Sequence, residues 1–470
     1  MNTNQKTSAE KPIQSSRQPA RMQVINPDAA GIDVGSTLHF VCVPKDAVAS
    51  DQSPVRQFGT FTPQLDELVE WLKSCQVKTA VMELTGVYWI PLFQKLESAG
   101  IEAVLVNARD VRHLPGRKTD MKDCQWLQRL HTFGLLRGAF RPSDGICRMR
   151  SIMRHRSNLV ASAAEQVQLM QKALQQMNIQ LHHVVSDLDG QTGLRILDAI
   201  LAGERNPREL VKLRDERIRK STPEEMEQAL QGDWRPEHLF VLKQSLAAYR
   251  FFNQQMEECD LHLRETMDQL VAEMKLAPVE PQPQAGNGKA RRKKGHGNAP
   301  KLDLNPQLRT LAGVDLTQTT GISLLSGLIL VSEIGTDMSR WRNEKAFASW
   351  LGLAPNHEIS GGKILNNRTR PVVNRAANVL RLVALAVGKT DTVFGHFYRR
   401  IRARAGAPKA ITALARKLAC LIYQLIKHKR PYQEPQLDGY LRKFEKQRLA
   451  GLARQARTLG YDLVPLEGPV

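Results

Sequence analysis

Short apolar runs alternate with helical stretches along the N-terminal part of the chain. The runs at 29–34, 38–43 and 55–60 have the length and residue types of strands. The elements predicted after them are a helix at 62–75, a strand at 79–83, a helix at 89–99, a strand at 103–107 and a longer helix from Thr119. Leading strands followed by βαβ units are typical of an α/β domain, to which we assign residues 23–145.

The middle and C-terminal parts of the chain show the periodicity of helices. Residues 146–276 are rich in Gln, Glu, Leu and Met, with apolar residues at helical spacing, and are expected to form long helices. Their narrow apolar stripe suits either a coiled coil between two chains or a hairpin within one chain, and we favour dimerisation. Residues 307–432 are again helical and are interrupted by glycines, which indicates a compact, mainly α-helical C-terminal domain.

Three further segments differ in composition. Residues 1–22 are polar and lack apolar periodicity, which predicts a disordered tail. Residues 277–306 are rich in Pro and Gly and contain a basic cluster, so we expect a linker that is either a solvated loop or an arm that contacts nucleic acid. The cluster consists of Lys289, Arg291, Arg292, Lys293 and Lys294. Residues 433–470 are expected to form a basic helical tail.

The charge of the chain narrows the class of partner. With 67 Lys and Arg against 47 Asp and Glu in 470 residues, the chain has a formal net charge of +20. Such a charge favours a polyanionic partner, above all nucleic acid, over a small metabolite. The sequence contains neither a long apolar run nor the apolar core of a signal peptide, so we expect no membrane contact and a cytoplasmic, nucleoid-associated bacterial protein. The six cysteines form no CxxC pair, which argues against a zinc ribbon or a disulfide framework.

Two carboxylates are predicted to lie on strands. Asp33 lies in GIDVGS, where the apolar neighbours indicate a central strand and the glycines would let a ligand approach the backbone. Glu83 ends the apolar run AVME and is expected at the C-terminal end of another strand. Because a buried carboxylate is costly unless it is compensated, we interpret both as functional residues that face one cleft.

Two more carboxylates follow on the helix predicted from Thr119. Asp120 and Asp123 are three residues apart, so they share one helical face. Taken alone, the pair has an ordinary explanation, because acids favour the first turn of a helix. Together with Asp33 and Glu83 they offer hard oxygen ligands that could hold one or two Mg²⁺ or Mn²⁺ ions. The sequence therefore predicts a metal site that acts on a phosphodiester.

The stretches around these acids resemble a known motif. GIDVGSTLHFVCVP, VMELTGVYW and GRKTDMKDCQWLQRL are similar to the Asp-Glu-Asp-Asp (DEDD) motif of transposases in insertion sequence family 110, whose N-terminal domain resembles the RuvC Holliday-junction resolvase. The resemblance implies an RNase-H-like (RuvC-like) fold, metal binding by the four acids, and guidance by a structured bridge RNA. Lys118 and Lys122 in the last stretch are candidate phosphate contacts.

A serine in the C-terminal domain is a second candidate. The segment LGLAPNHEISGGK contains Ser360, Gly361, Gly362 and Lys363, and its glycines free the backbone to approach a phosphate or to stabilise an oxyanion. Alone, Ser-Gly-Gly is usually a flexible loop. The family carries a serine in a similar context, which implies that Ser360 is a nucleophile that bonds covalently to a DNA phosphate, activated by the acidic cluster of its own or another subunit. His357 is interpreted as an ordinary loop histidine.

Basic residues near the end of the C-terminal domain are expected to contact phosphate. The helix after Gly406 has an apolar stripe at core spacing, so its cations and those just before it remain to face solvent or DNA. These residues are Arg399, Arg400, Arg402, Arg404, Arg416 and Lys417. Upstream, LAGVD and the stretch after it are similar to a degenerate helix-hairpin-helix of the same family, in which Asp315 replaces the usual glycine and argues against direct phosphate contact.

Three functions are compatible with these residues. The first is a DNA transposase or recombinase that excises and inserts its mobile element by metal-assisted cleavage, a phosphoserine intermediate and rejoining, as a homodimer or tetramer bound to double-stranded DNA and a guide RNA. The second is a RuvC-like junction endonuclease that uses metal-activated water instead of Ser360. The third is a basic nucleic-acid scaffold whose acids only support the fold. The resemblance favours the first.

Overall fold

The computed structural model describes residues 22–84, 86–107, 120–281, 297–356, 358–366 and 368–464. Most of the predicted N-terminal tail, Lys118 and Thr119, the basic cluster at 289–294 and His357 lie outside these residues. The chain divides between Arg141 and Pro142 into two compact units, which are described separately.

The first unit is a five-stranded sheet flanked by helices. Its elements are β1 (Ala29–Val34), β2 (Leu38–Cys42), β3 (Val55–Gly59), α1 (Thr62–Ser74), β4 (Thr79–Glu83), α2 (Trp89–Ser98), β5 (Glu102–Val106) and α3 (Asp120–Thr132). The strand order is β3-β2-β1-β4-β5. Strand β2 is antiparallel to both of its neighbours, β1 and β3, and β4 is parallel to both of its neighbours, β1 and β5. This is the RNase-H-like arrangement, so the predicted fold class is confirmed. The elements lie within about a residue of their predicted bounds.

The main core of this unit lies on one face of the sheet. Leu68 and Leu72, one turn apart on α1, are fully buried with Ile32 of β1 and Met82 of β4. Burial of each such side chain contributes about 1.5–3 kcal/mol. Because side chains alternate between the two faces along a strand, the residues that follow Ile32 and Met82 point to the opposite face.

The second unit begins with a helical hairpin. Its first elements are α4 (Asp144–Gln176), α5 (Leu181–Val184), α6 (Gln191–Leu201), α7 (Pro207–Val211), α8 (Pro223–Ala229) and α9 (Pro236–Glu273). Helices α4 and α9 pair within the chain, with Arg148 near the start of α4 bonded to Glu273 at the end of α9, as in the hairpin alternative. Where we expected long helices, the short helices α5–α8 form a core together with the end of α4 and the start of α9. Prolines at the first turns of α7 and α8 start new helices there.

The C-terminal part of the second unit is mainly helical. Its elements are α10 (Asn305–Ala312), α11 (Leu324–Ile334), α12 (Glu344–Trp350), β6 (Glu358–Ser360), β7 (Lys363–Asn366), α13 (Arg375–Val387), α14 (Val393–Ala405), α15 (Ala407–His428) and α16 (Leu437–Thr458). The predicted apolar stripe of α15 is buried, including Leu414, Leu418 and Ile422. Among the described residues, no helix is long and apolar enough to cross a membrane.

An arginine clamp joins the hairpin to these helices. Arg154 of α4 donates two hydrogen bonds to the buried carboxylate of Glu333 on α11, at 2.9 and 2.8 Å. Arg150 donates to the carbonyl oxygens of Ser332 and Glu333, at 3.0 and 2.7 Å. Since carbonyls in the last turn of a helix lack partners within the helix, Arg150 satisfies the end of α11, and both arginines fix α11 to α4.

Candidate active site

Two of the predicted carboxylates lie side by side on parallel strands. In the β1–β4 register Ile32 pairs with Met82, and each is followed by an acid, Asp33 or Glu83. Neighbouring strands are about 4.8 Å apart, so these carboxylates emerge next to each other on the face opposite the main core. Glu83 is only 7% exposed, and Asp33 is half-buried.

Helix α3 packs on that same face. A Cβ on Gly31 would lie 2.3 Å from both the carbonyl oxygen of Cys124 and the backbone nitrogen of Gln128. Gly31 thus lets the helix backbone approach β1, whereas we had interpreted this glycine as space for a ligand. Asp120 is the first residue of the helix, and Asp123, half-buried, follows one turn later.

The Cys124 thiol on α3 lies within electrostatic range of the Asp33 carboxylate. A hydrogen bond with the Cys42 thiol, burial, and the negative charge of Asp33 all raise the pKa of the Cys124 thiol. Because Cys124 directly follows Asp123, the sheet and helix acids belong to one region of the unit. Among the described side chains, which exclude that of Asp120, no three His, Cys, Asp or Glu groups already converge as a metal site. The donor set of carboxylate oxygens nevertheless fits Mg²⁺ or Mn²⁺ by its chemistry.

The predicted serine lies at the tip of a β-hairpin. Ser360 ends β6 and pairs with Lys363, which begins β7. Gly361 and Gly362 between them have φ of 55° and 74°, the left-handed backbone of a two-residue type I′ turn. Residues paired across two strands point to the same side, so the exposed Ser360 and Lys363 side chains are neighbours. A flexible loop was the ordinary expectation, but Ile359 and Ile364 around a Gly-Gly pair are a hairpin signal that we did not use.

The six predicted phosphate-contacting cations of the C-terminal domain differ in their surroundings. Arg402 and Arg404 are exposed, and Arg416 is half-buried. Arg399 donates to the carbonyl oxygens of Gly388 and Thr390, at 3.4 and 2.8 Å, just after α13.

Arg400 and Lys417 lie against aromatic rings. The Arg400 guanidinium and the Lys417 ammonium are 5.6 and 4.8 Å from the ring centroid of Phe397. Burial and the positive charge of Arg400 lower the pKa of Lys417.

The predicted phosphate contact of the first unit, Lys122 on α3, is exposed.

The predicted helix-hairpin-helix region contains an internal cap. Asp315 is buried and accepts hydrogen bonds from the backbone nitrogen and the hydroxyl of Thr317, at 2.9 and 2.6 Å. Its carboxylate therefore starts the short 3₁₀ turn Leu316–Gln318 between α10 and α11.

Comparison with known families finds two similarities. Residues 30–179 match a family of DEDD transposases of the IS110 type, described as Transposase. Residues 315–399 match a family described as Transposase IS116/IS110/IS902 family. The four acids lie in the first segment and Ser360 in the second, and together the segments make up half of the chain. No curated protein matches the chain significantly.

Proposed function

The chain belongs to the IS110 family of DNA transposases, and we propose that it excises and inserts a mobile element by metal-assisted strand cleavage and rejoining through a phosphoserine intermediate. The shared register of Asp33 and Glu83, with α3 held on their face by Gly31, is the observation that carries the proposal. It brings acids that are distant in sequence to one side of a rigid sheet.

We assign metal binding to Asp33, Glu83, Asp120 and Asp123. A divalent ion bound there would supply Lewis-acid stabilisation of charge on a phosphodiester. The chain's own contribution is to hold the carboxylates ready: Glu83 is buried at a strand end, and Asp123 is fixed by the contact of α3 with β1. Such prior positioning removes the cost of organising the ligands during the reaction.

Ser360 is the proposed nucleophile. Its hydroxyl oxygen bonds to phosphorus, one P–O ester bond breaks, and the serine proton ends on the leaving deoxyribose oxygen. Rejoining is the reverse step with another strand's hydroxyl, so the phosphodiester count is conserved. Lys363, paired with Ser360, would neutralise a phosphate oxygen, and the amides of Gly361 and Gly362 would donate to it.

The partners follow from the same proposal. The family implies DNA, and we propose in addition a structured guide RNA, a homodimer or tetramer, and action at the bacterial nucleoid. The net charge of +20 suits a polyanionic partner, whether DNA alone or DNA together with RNA. Arg402, Arg404 and Arg416 are proposed phosphate contacts of the second unit, and the exposed Lys122 is a proposed phosphate contact of the first.

The decisive experiment traps a protein–DNA adduct. The full-length protein, purified with its co-purifying RNA, is incubated with DNA that carries the element ends and Mg²⁺ or Mn²⁺, then denatured and analysed for a covalent adduct by mass spectrometry. Wild type and Ser157→Ala, a control at an exposed serine of α4, should form it, whereas Ser360→Ala should not. Asp33→Asn and Glu83→Gln should also weaken Mn²⁺ binding, measured by electron paramagnetic resonance. Strand exchange by Ser360→Ala would overturn the phosphoserine intermediate. Metal-dependent cleavage by Ser360→Ala without rejoining would favour the junction endonuclease, with water as the nucleophile. Cleavage at the wild-type rate by both acid variants would overturn the metal assignment.

A further inference from the structure

The tail helix α16 is anchored at its N-terminal end. Arg400 of α14 holds its guanidinium 5.8 Å from the ring centroid of Tyr440 and 4.7 Å from that of Phe444, both on the first two turns of α16. Cation–π contacts contribute about 0.5–1 kcal/mol each at exposed sites and more when desolvated. The half-buried side chains of Tyr440 and Phe444 show that these turns are docked.

The chain that leads into α16 is also fixed. Lys429, directly after α15, donates to the carbonyl oxygen of Ala312 at 2.8 Å. Glu434 accepts hydrogen bonds from the Tyr432 hydroxyl, at 2.7 Å, and from the Thr320 hydroxyl. The start of the helix is therefore held to the C-terminal part of the second unit by two separate sets of contacts.

From Arg442 to Arg457 the helix carries a face of exposed basic side chains. At 100° per residue, five cations fall within an arc of about 120°. They are Arg442, Lys443, Lys446, Arg454 and Arg457. These five cations span roughly 22 Å of the helix. Arg457 has Asp462 as an ion-pair partner at 3.3 Å, and the other four cations make no ion pair within the described part of the chain.

We propose that this basic face binds the phosphate backbone of nucleic acid, and that Arg400 acts by anchoring the helix rather than by contacting phosphate. The proposal needs a nucleic-acid partner but not the chemistry at Ser360. Helix α16 lies outside both family-matched segments, so the surface is additional to what they cover. A row of unpaired cations on an anchored helix binds phosphates with little loss of conformational freedom.

The apolar side of α16 argues against a membrane surface as the partner. Leu449 and Leu452 are 51% and 43% exposed beside the basic arc, as in helices that lie on membranes. However, Glu445 falls between these two leucines on the helical wheel, and Arg448 lies next to Leu452. An interfacial helix needs a continuous apolar face, so phosphate along the basic face is the better match.

The test measures the salt dependence of binding by the full-length protein. Fluorescence anisotropy with a 30-base-pair duplex DNA and with a single-stranded RNA is recorded across a salt series, after melting curves show that each variant is folded. Replacing Arg442, Lys443, Lys446 and Arg454 by Gln should lower the slope of log affinity against log salt by about 3.6 on duplex DNA or about 2.8 on single-stranded RNA, whichever is the partner. The control replaces four exposed cations that already have carboxylate partners, Arg208, Lys212, Arg217 and Arg235, and should change neither slope.

The anchoring role of Arg400 is measured separately. Arg400→Gln should weaken binding several-fold and speed hydrogen exchange at 437–444, with the salt slope unchanged. A slope lowered by about 0.9 with unchanged exchange would make Arg400 a phosphate contact and overturn the anchoring role. Equal slopes for wild type and the four-Gln variant on both nucleic acids would overturn the proposal that this face binds phosphate. Binding to anionic phosphatidylserine vesicles is measured in parallel, and a four-Gln variant that loses only vesicle binding would overturn the proposal as well.

Discussion

Replacement of Gly31 by alanine tests whether the spacing of β1 and α3 controls strand cleavage. The added Cβ would lie 2.3 Å from the Cys124 carbonyl oxygen and 2.8 Å from the Cα of Gln128. Favourable contacts between such atoms are about 3.5 Å, so α3 has to move outward by about 1 Å. All the obstructing atoms belong to the backbone, and no side-chain rotation can relieve them.

The expected result is a folded but poorly active protein. Overpacking of this kind costs about 1–3 kcal/mol, whereas a displacement of about 1 Å in a catalytic group can lower a rate roughly 100-fold. Cleavage of DNA with the element ends is compared between wild type, Gly31→Ala and Gly138→Ala, with a melting curve for each. Gly138 is a suitable control because an added Cβ would meet only Val104, at 3.5 Å. A folded Gly31→Ala protein that cleaves at the wild-type rate would refute the role of this spacing.

Three further outcomes are expected. Gly361→Asn, which tolerates a positive φ, should keep adduct formation, whereas Gly361→Val should lower the adduct yield at least tenfold because a β-branched residue is strained there. Asp260→Asn should lower the free energy of unfolding in urea by about 3–5 kcal/mol, because its buried arginine partner stays charged, whereas Asp198→Asn at an exposed ion pair should cost less than about 1 kcal/mol. Burial lowers the pKa of His131 below its ordinary 6.5. The neutral imidazole therefore contributes its full stability above pH 6.5, and this contribution is lost as the pH falls through the lowered pKa. The melting temperature should drop on acidification, and should drop less in His131→Gln.

The positions of the candidate acids on the fold were largely predictable because these residues lie on elements with strong local signals. Asp33 and Glu83 end or nearly end apolar runs, and the alternation of strands and helices determines which strands can be parallel. The role of Gly31 was not predictable, because a glycine in a strand fits a ligand, a bulge or a packed helix equally well. Only the position of α3 distinguishes these cases.

The second unit was less predictable, because its local patterns are ambiguous. Helical spacing between α4 and α9 does not reveal that α5–α8 are short helices that form a core with the adjoining ends of α4 and α9. In the same way, the sequence around Arg400 shows a cation among cations, and its aromatic partners Tyr440 and Phe444 lie about 40 residues away. Contacts of that kind depend on tertiary packing and leave no periodic signal.

The paired helices α4 and α9 also set a distance. About 20 residues of α4 separate Arg154, in the clamp on α11, from Leu174, in the core of the short helices, which corresponds to roughly 30 Å. Seven residues added to each arm would lengthen this spacing by about 10 Å and return both ends to nearly the same orientation. Two residues would lengthen it by only about 3 Å but rotate one end by about 200°. Insertions of seven residues thus change the length of the hairpin alone, whereas insertions of two residues change mainly the relative orientation of its ends. The two quantities can therefore be adjusted by different insertions in an engineered recombinase.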